Sequence, residues 1–474
     1  MFSLRHVPAG LVGAVSLVLA GVSHAQNASE TDTEGLKIRF QGGVNAVAER
    51  NLFWRFGETV AHAEDFESDT EWLEAYVKPG LSYTRTTDSG ATLYGGLSAV
   101  GSWTAGADAF GTGDTGRVTL EEAYAGVRFN RAGFDFDLSA GSQEFEAGTG
   151  MHLSNGGSNG FTRGALKLGP RKAWAMAVLA RAKRGDVSGT AFYLDPNSAP
   201  DNDNGTRIAG VDVRYDPRPH TYFGATIGTV LESTAPYPVA APGGIGVPSI
   251  LENGRDGLTF VDLYMRAKPF AETLPGAFVV AELSVQSNDR IDMRAWGGRA
   301  WAGYDFNHRW KPSFGFGYQT FSGDDPNTAR LERFDPLYYE GNPKSWSTGS
   351  KSSMVFINSN VASWNAGFSL SPTPRDKLSL QVSRILANER LSPIQFGQAT
   401  RVEVEDGIAN PISGVTRRHL SDDVYLEYMR VVTPNVYLTA GFSVSVPGPG
   451  INSIVTEVDA PVWSGGFVNL IVNY

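Results

Sequence analysis

The chain of 474 residues contains no cysteine, which excludes a disulfide framework and any thiolate chemistry. Beyond its N-terminal segment it also lacks a run of about twenty apolar residues, the length that a membrane-spanning helix needs. Positive charge is not in excess, since the formal net charge is -10, and an acidic balance argues against nucleic acid as a partner. If this protein crosses a membrane, it must therefore do so with β-strands.

The N-terminus has the features of a secretory signal peptide. Arg5 and His6 supply a basic start, residues 11–22 form a short apolar core, and residues 23–25 (SHA) form a small-x-small cleavage site. We expect residues 1–25 to be removed, which leaves a mature chain of residues 26–474. Export across an oxidising compartment is compatible with the absence of cysteine.

Apolar and polar residues alternate along the mature chain with a period of two. Residues 261–268 (VDLYMRAK), 134–139 (FDFDLS) and 279–286 (VVAELSVQ) show this pattern. Successive side chains of a strand point to opposite faces, so each such strand has one apolar face and one wet face. This is the pattern of a transmembrane β-barrel, with lipid outside and a polar lumen inside.

About eighteen strands of this kind are predicted, in one closed antiparallel barrel that occupies the whole mature chain. We place them at 36–48, 71–84, 91–103, 117–129, 134–144, 171–182, 186–194, 206–216, 221–231, 256–268, 276–287, 291–306, 311–320, 354–369, 377–386, 420–430, 435–446 and 460–474. Short turns alternate with long connections, the longest near 49–70, 145–170, 232–255, 321–353 and 387–419. Short periplasmic turns and long extracellular loops are typical of outer-membrane barrels.

The last strand ends on Tyr474, and Val468, Leu470 and Val472 share its parity. This ending resembles the signal read by the outer-membrane assembly machinery, which we predict as a partner together with outer-membrane lipid and lipopolysaccharide. Aromatic residues near predicted strand ends suit interfacial girdles; they are Trp72, Trp103, Trp174, Trp310, Trp463, Tyr83, Tyr215 and Tyr304.

Two glycine pairs, 42–43 and 297–298, interrupt predicted strands. If they are β-bulges, the polarity shifts phase across them and both Arg294 and Arg299 point inward. A flexible or loop conformation of these pairs is the alternative.

Four stretches carry a resemblance to the alginate-export family of outer-membrane barrels. They are residues 141–150 (GSQEFEAGTG), 163–173 (RGALKLGPRKA), 322–338 with SGDDP and FDPLY, and 445–448 (SVPG). The resemblance implies a monomeric barrel of eighteen strands in the outer membrane of a Gram-negative bacterium. It further implies passage of an anionic polysaccharide or of other small polar solutes.

The candidate residues for lining the lumen and binding solute combine both signs of charge. The bases are Arg39, Lys78, Arg128, Arg163, Arg171, Arg214, Arg266, Lys268, Arg294 and Arg299, and the acids are Glu122, Asp262 and Glu282. Rings of Arg or Lys select anions, whereas facing acids create a transverse field that favours small polar solutes over a long polyanion. Alternatively, these charges only fill a wet lumen and pair with one another.

Two loops have further candidate roles. The loop near 145–170, rich in Gly, Ser and Asn, is the best candidate to fold into the barrel as a constriction, although it could instead rest on the rim. Asp201 and Asp203 resemble the first half of a calcium loop. No Glu stands at the twelfth position, so an ordinary polar turn is the default and no cofactor is expected.

An enzyme is not expected. The mature chain has five His, of which we place none on a strand facing a serine, and it lacks the H-E-x-x-H, G-x-S-x-G and P-loop patterns. The sequence therefore predicts a passive channel for polar or anionic solutes. A dedicated exporter of an anionic, alginate-like polysaccharide and a plugged structural or adhesive barrel are the alternatives, and a basic stripe along the lumen would favour the exporter.

Overall fold

The computed structural model describes residues 34–55, 67–109, 113–157, 163–199, 203–246, 248–339, 346–349, 356–395, 404–405, 408–409, 415–454 and 459–474. The expected signal peptide, residues 1–25, lies outside the described residues.

Eighteen antiparallel strands form a single sheet that closes on itself, as predicted. They are β1 (Gly35–Arg50), β2 (Thr70–Thr86), β3 (Thr92–Ala107), β4 (Gly113–Arg131), β5 (Phe134–Gln143), β6 (Trp174–Arg184), β7 (Val187–Asp195), β8 (Arg207–Arg218), β9 (Thr221–Glu232), β10 (Thr259–Ala267), β11 (Ala277–Asn288), β12 (Met293–Asp305), β13 (Ser313–Phe321), β14 (Val361–Thr373), β15 (Asp376–Ala387), β16 (His419–Thr433), β17 (Val436–Pro447) and β18 (Trp463–Asn473). Each strand pairs with its neighbours in the chain, and β18 pairs with β1.

The connections form two ends of the barrel. The short-turn end contains tight connections such as 132–133, 185–186 and 434–435, and the long-loop end contains 144–173 and 322–360. Two short hairpins (Tyr237–Val239 with Ser249–Leu251, Val404–Glu405 with Ile408–Ala409) and one helical turn, α1 (Pro449–Asn452), also belong to long loops. In the described part of the chain, none of the helices has the length and apolar character needed to span a membrane.

The barrel is sealed at the chain terminus. The amide of Tyr474 donates to the carbonyl of Phe40 at 2.7 Å, and the amide of Phe40 donates back at 2.6 Å. From there the register runs from Gln41 opposite Asn473 to Arg50 opposite Ser464. The last residues are therefore part of the wall.

The outer face carries the apolar parity of each strand. On β1, Leu36 is 66% exposed and Ile38 79%, whereas Asn45 on the opposite parity is buried. On β10, Leu263 is 55% exposed, and its neighbour Asp262 is buried. A belt of exposed apolar side chains around a closed sheet is what a lipid-facing surface requires.

The inner face has an apolar zone and a charged zone. The sequence predicted a polar lumen and did not indicate the apolar zone. Towards the long-loop end, inward residues are apolar and buried, among them Val47, Trp72, Leu194, Ile208 and Val230. Apolar loop residues pack into the same core; they include Phe53, Leu153, Phe334 and Tyr338. Charged inward residues lie beside this core, as Glu49 and Glu74 do, and continue towards the short-turn end with residues such as Arg266. The interior of the barrel is therefore part apolar core and part charged lumen.

The two glycine pairs neither form bulges nor interrupt their strands. The register of β1 with β2 is continuous across Gly42 and Gly43, and that of β12 with β11 and β13 is continuous across Gly297 and Gly298. These glycines make room for aromatic rings, since a Cβ on Gly43 would lie 2.5 Å from Cε1 of Tyr76. Both interpretations offered for the pairs were wrong.

The predicted aromatic girdles are correct only in part. Trp103, Trp310, Tyr83 and Tyr215 lie on the outer face, each between 42% and 46% exposed. Trp72, Trp174 and Trp463 are instead buried inside the barrel. Their indole N–H groups donate to Glu74, to the carbonyl of Phe145 and to Glu49, respectively. These three tryptophans therefore bind polar groups inside the barrel and do not belong to an interfacial girdle.

Candidate solute passage

A cluster of acids surrounds Lys78 on the inner face of β2. Its Nζ lies 3.2 Å from Glu144, 3.7 Å from Glu121 and 4.0 Å from the predicted residue Glu122. The side chain of Lys78 is only 13% exposed. One cation is thus compensated by three carboxylates, and this part of the wall is acidic.

Glu121 is a lumen residue that the sequence interpretation missed. The register between β3 and β4 shifts between Ser98 and Ala99, so Glu121 is an extra residue and both Glu121 and Glu122 point inward. The amides of Lys172 and Ala173 donate to its Oε1 at 2.7 and 3.0 Å. The sequence did contain a signal for this bulge, namely two adjacent acids in one strand. Because the outer face must be apolar, both acids can point inward only if the strand has an extra residue there.

Three predicted arginines are paired with acids on the wall. Arg128 lies 3.5 Å from Asp137, Arg214 is 2.8 Å from Asp216, and Arg299 is 3.3 Å from Glu282. Each guanidinium also stacks on an aromatic ring, which limits its motion; the rings belong to Tyr94, Tyr222 and Trp346.

Arg266 and Asp262 lie on the inner face of β10. Both are buried, at 3% and 2% exposed. The guanidinium of Arg266 stacks on the ring of Phe278 at 4.3 Å. Among the described residues its three nitrogen atoms have no hydrogen-bond acceptor.

Arg39 faces inward on β1 and is partly exposed, with Tyr124 of β4 as an electrostatic neighbour. Its Nη2 has no hydrogen-bond partner in the described part of the chain. Lys268 lies just beyond the end of β10, in the connection to β11, where its Nζ donates to the carbonyl of Pro275 at 3.4 Å. It therefore sits at the short-turn end, outside the strand in which we placed it.

The loop of residues 144–173, here called loop A, lies inside the barrel in its described parts. The hydroxyl of Thr149 is 2.6 Å from Oε1 and 2.7 Å from Oε2 of Glu282 on β11. On another part of the wall, the amides of Lys167 and Leu168 donate to Glu74 on β2 at 3.0 and 2.9 Å. Because β2 and β11 are separate parts of the wall, loop A crosses the lumen between two carboxylates.

Lys167 adds an electrostatic contact to this attachment. Its Nζ lies 4.3 Å from the centroid of the Phe467 ring. Burial lowers the pKa of Lys167 to about 8, against the attraction of Glu49, Glu74 and Glu427 on three strands. The attraction of these three acids helps to hold loop A against this acidic sector.

The loop of residues 322–360, here called loop B, packs on loop A inside the barrel. The amide of Tyr338 donates to the carbonyl of His152 at 2.8 Å, and the amide of Ser154 donates to the carbonyl of Tyr338 at 2.9 Å. Nε1 of Trp346 donates to the carbonyl of Thr149 at 3.1 Å. Trp346 thereby joins loop B, loop A and Arg299 of the wall.

Arg163 and Arg171 belong to loop A and not to a strand, because β6 begins only at Trp174. Arg171 donates to the hydroxyls of Thr119 at 2.7 Å and Ser102 at 2.8 Å. Burial, together with the nearby cations, lowers its pKa to about 10, so it stays charged at neutral pH. Arg163 donates to the carbonyl of Asn197 at 3.1 Å. Both side chains fix loops in place.

The inward placement of Arg294 was wrong. Without a bulge at residues 297–298, Arg294 shares its parity with Trp296, which is 49% exposed on the outer face. Its guanidinium lies 2.7 Å from Asp289, in the tight connection before β12.

The calcium candidate is half outside the described residues, since these exclude Asp201. Asp203 accepts a hydrogen bond at 2.9 Å from the amide of Gly205, as in a local polar turn. Over the described residues, there is no group of three or more His, Asp or Glu side chains suited to a metal ion.

One histidine faces a serine, although it lies on loop A and not on a strand. Nε2 of His152 is 2.6 Å from Oγ of Ser284 on β11. The His152 ring is buried beside Phe260 and Phe334, and burial lowers its pKa to about 3. Nδ1 has no hydrogen-bond partner among the described residues, so this pair lacks the acid that orients the base of a catalytic triad.

Comparisons with known proteins point to the same architecture. Residues 281–407 match the family model described as alginate export. Among solved structures, OccAB2 of Acinetobacter baumannii is 9% identical, with a TM-score of 0.52, over 93% of this chain and 98% of that one. OccAB4 of the same organism is 10% identical, with a TM-score of 0.50, over 94% and 99%. The search of curated proteins gave no match.

The family match begins within β11 and covers β12 to β15 together with loop B. The matched residues include Glu282 on β11 and Arg299 on β12. At such low identity the solved structures support the fold alone. Residues 281–407 thus carry the alginate-export signature, within a closed 18-stranded barrel that resembles the outer-membrane porins.

Proposed function

We propose that this protein is a passive, non-enzymatic outer-membrane channel for small polar or anionic solutes, with its long loops outside the cell and its short turns in the periplasm. The apolar outer belt supports contact with outer-membrane lipid and lipopolysaccharide. The charged inner zone supports an aqueous passage, and loops A and B, which lie within the barrel, would narrow it.

The pairing of lumen cations with acids carries this proposal. Lys78, Arg128, Arg214 and Arg299 each have a carboxylate within 4 Å, at 3.2, 3.5, 2.8 and 3.3 Å. A wall of alternating charge favours small polar solutes over a long polyanion, because the acids repel successive carboxylates of a polymer. Because these four cations are compensated by acids, the polysaccharide exporter, which needs a net basic stripe, has less support.

A plugged barrel is the second candidate, and the attachment of the loops favours it. Loop A is hydrogen-bonded to Glu282 and to Glu74, and the long-loop end contains a packed apolar core. In this alternative the loops are a permanent plug and the outer surface has a structural or adhesive role.

Planar-bilayer recording of the refolded protein separates these functions. We expect discrete ion conductance, with currents reduced by small uronates and sugars and with little effect of uronate polymers. Absence of conductance from protein that is fully folded would contradict the channel and support the plug. Tight block by the polymer, with no effect of monomers, would support the exporter.

A further inference from the structure

Arg266 differs from the other stacked arginines of the inner wall. Arg266 and three other arginines of the inner wall each place the guanidinium group on an aromatic ring, 3.9–4.3 Å from the ring centroid. The guanidinium groups of Arg128, Arg214 and Arg299 each have an acid within 4 Å. Arg266 has no such acid among the described residues, although it is only 3% exposed.

The missing partners concern the whole guanidinium group. Nε, Nη1 and Nη2 of Arg266 are all buried, and none of the described residues offers any of them an acceptor. A charge removed from water without partners is unfavourable, so buried arginines are normally paired. An inward arginine held in one orientation by Phe278 is therefore preorganised for an acceptor that the wall does not supply.

Two more unpartnered polar atoms lie on the same part of the wall. Nε1 of Trp301 and Oδ2 of Asp305, both on β12, have no hydrogen-bond partner among the described residues. The register places Arg266 opposite Val280 and Val280 opposite Trp301, so the two donors are two strands apart, roughly 10 Å. Asp305 is the last residue of β12, at the short-turn end.

Glycines shape the surface between these groups. A Cβ on Gly303 would lie 2.3 Å from Cζ of Phe278, and a Cβ on Gly317 would lie 2.3 Å from Cε3 of Trp301. Both rings therefore lie flat over neighbouring strands rather than standing up into the lumen. The result is an aromatic floor with a cation at one side, an indole N–H near it and a carboxylate at the short-turn end.

We infer that Arg266, Trp301 and Asp305 form a binding site for a small hydroxylated carboxylate at the short-turn end of the lumen. Arg266 binds the carboxylate through two parallel N–H donors, the arrangement in which guanidinium groups are strongest. Nε1 of Trp301 donates to a hydroxyl oxygen, and a hydroxyl of the solute donates to Oδ2 of Asp305. The inference rests on the proposed channel function and names the solute class.

The test is calorimetric titration of the refolded full-length protein in detergent with gluconate, glucose and acetate. We expect gluconate to bind, glucose not to bind, and acetate to bind more weakly than gluconate. Arg266→Gln should weaken gluconate binding at least about tenfold, as expected for loss of a charge-assisted hydrogen-bond pair. Arg384→Gln is the matched control, because Arg384 pairs with Asp422 on the outer face and should leave the affinity unchanged.

Two further variants keep the test decisive. Arg266→Lys retains the charge without the planar fork and should give an intermediate loss, which serves if Arg266→Gln does not fold. Asp305→Asn should weaken gluconate binding and leave acetate binding unchanged. Equal gluconate affinity in wild type and the Arg266 variants, or no gluconate binding to the folded wild type, would overturn the site.

Bilayer recordings on the same preparations separate this inference from the proposed function. Ion conductance without gluconate binding overturns the site and leaves the channel intact. Gluconate binding that is sensitive to Arg266, in protein that never conducts, supports the site and removes the channel.

Discussion

At the scale of single residues, the position of a charged side chain in the fold decides whether it fixes a loop to the wall or faces the lumen without a partner. Arg171 and Arg266 were both placed among lumen-lining cations from the sequence. Arg171 is hydrogen-bonded to Thr119 and Ser102, whereas Arg266 has no acceptor among the described residues. The same residue type thus anchors a loop in one place and, in the proposed site, is available to solute in the other.

Arg171→Ala should release loop A from the wall. Loss of a buried, charged donor with several acceptors weakens docking by about 2–4 kcal/mol. Limited trypsin digestion of the folded barrel should then cut at Lys167 or Lys172 at least about tenfold faster, since cleavage follows the population of the open form. Arg131→Ala, an exposed change at the short-turn end, should not alter the rate. A shifted reversal potential with unchanged digestion would instead make Arg171 a lumen residue.

At the scale of elements, loop A is attached to the wall through carboxylates. Glu74 accepts two loop amides and Glu282 accepts the hydroxyl of Thr149. Each attachment uses a carboxyl group as the acceptor, and hydrogen bonds to an ionised carboxylate are stronger than those to a neutral oxygen. The loop position is therefore coupled to wall charge rather than to apolar packing alone.

Glu74→Gln and Glu282→Gln should each loosen loop A by about 1–3 kcal/mol, the cost of replacing a charged acceptor. We expect larger or noisier open-channel currents in bilayer recordings of both variants. Glu232→Gln at the exposed rim, where Glu232 pairs with Arg207, is the control. Currents identical to wild type in both loop variants would show that loop A does not limit conduction.

The strands themselves could be predicted closely from the sequence, because the outer face must be apolar along every strand. The range 206–216 was predicted and the strand is Arg207–Arg218. The largest miss is β14, predicted from 354 and observed from Val361. Phe356 and Ile357 are apolar because they are buried in the core of the loops, and periodicity cannot distinguish this from a strand.

The site was harder to predict than the strands. Thr149 meets Glu282 and Trp346 only because loops A and B fold back into the barrel, and such contacts join residues as far apart as 149 and 346. Glu74 meets the amides of loop A for the same reason. The alternation of apolar and polar residues assigns each strand residue to the inner or the outer face. It carries no information about where a loop packs against the inner wall. The inward Trp72 and Trp174 were misplaced for the same reason, since an aromatic near a strand end suits either face.

At the scale of the whole molecule, the last residue takes part in closing the barrel. Tyr474 exchanges two backbone hydrogen bonds with Phe40, and its side chain is 73% exposed on the outside. The backbone contributes to the seam of the barrel, and the ring is accessible to the predicted assembly machinery.

Deletion of Tyr474 should lower the folded fraction both in detergent and in cells, measured by the heat-dependent shift in gel mobility. Tyr474→Ala keeps both backbone bonds, so it should fold normally in detergent and fail only in cells, where the aromatic is read. Tyr474→Phe should behave as wild type in both settings. Normal assembly of Tyr474→Ala in cells would remove the proposed recognition of this ring.

The extra residue in β4 makes the wall tolerant of deletion at one point. Removing Glu121 would subtract the carboxylate that accepts two loop amides, but it would leave Leu120 directly beside Glu122, in the regular alternation of a strand without a bulge. Val118 and Leu120, 78% and 55% exposed, would stay on the outside, and Thr119 would stay inside. In a regular stretch of strand, by contrast, a deletion of one residue turns every side chain on one side of it to the other surface. A single missing codon should therefore do less harm at Glu121 than elsewhere in the strand.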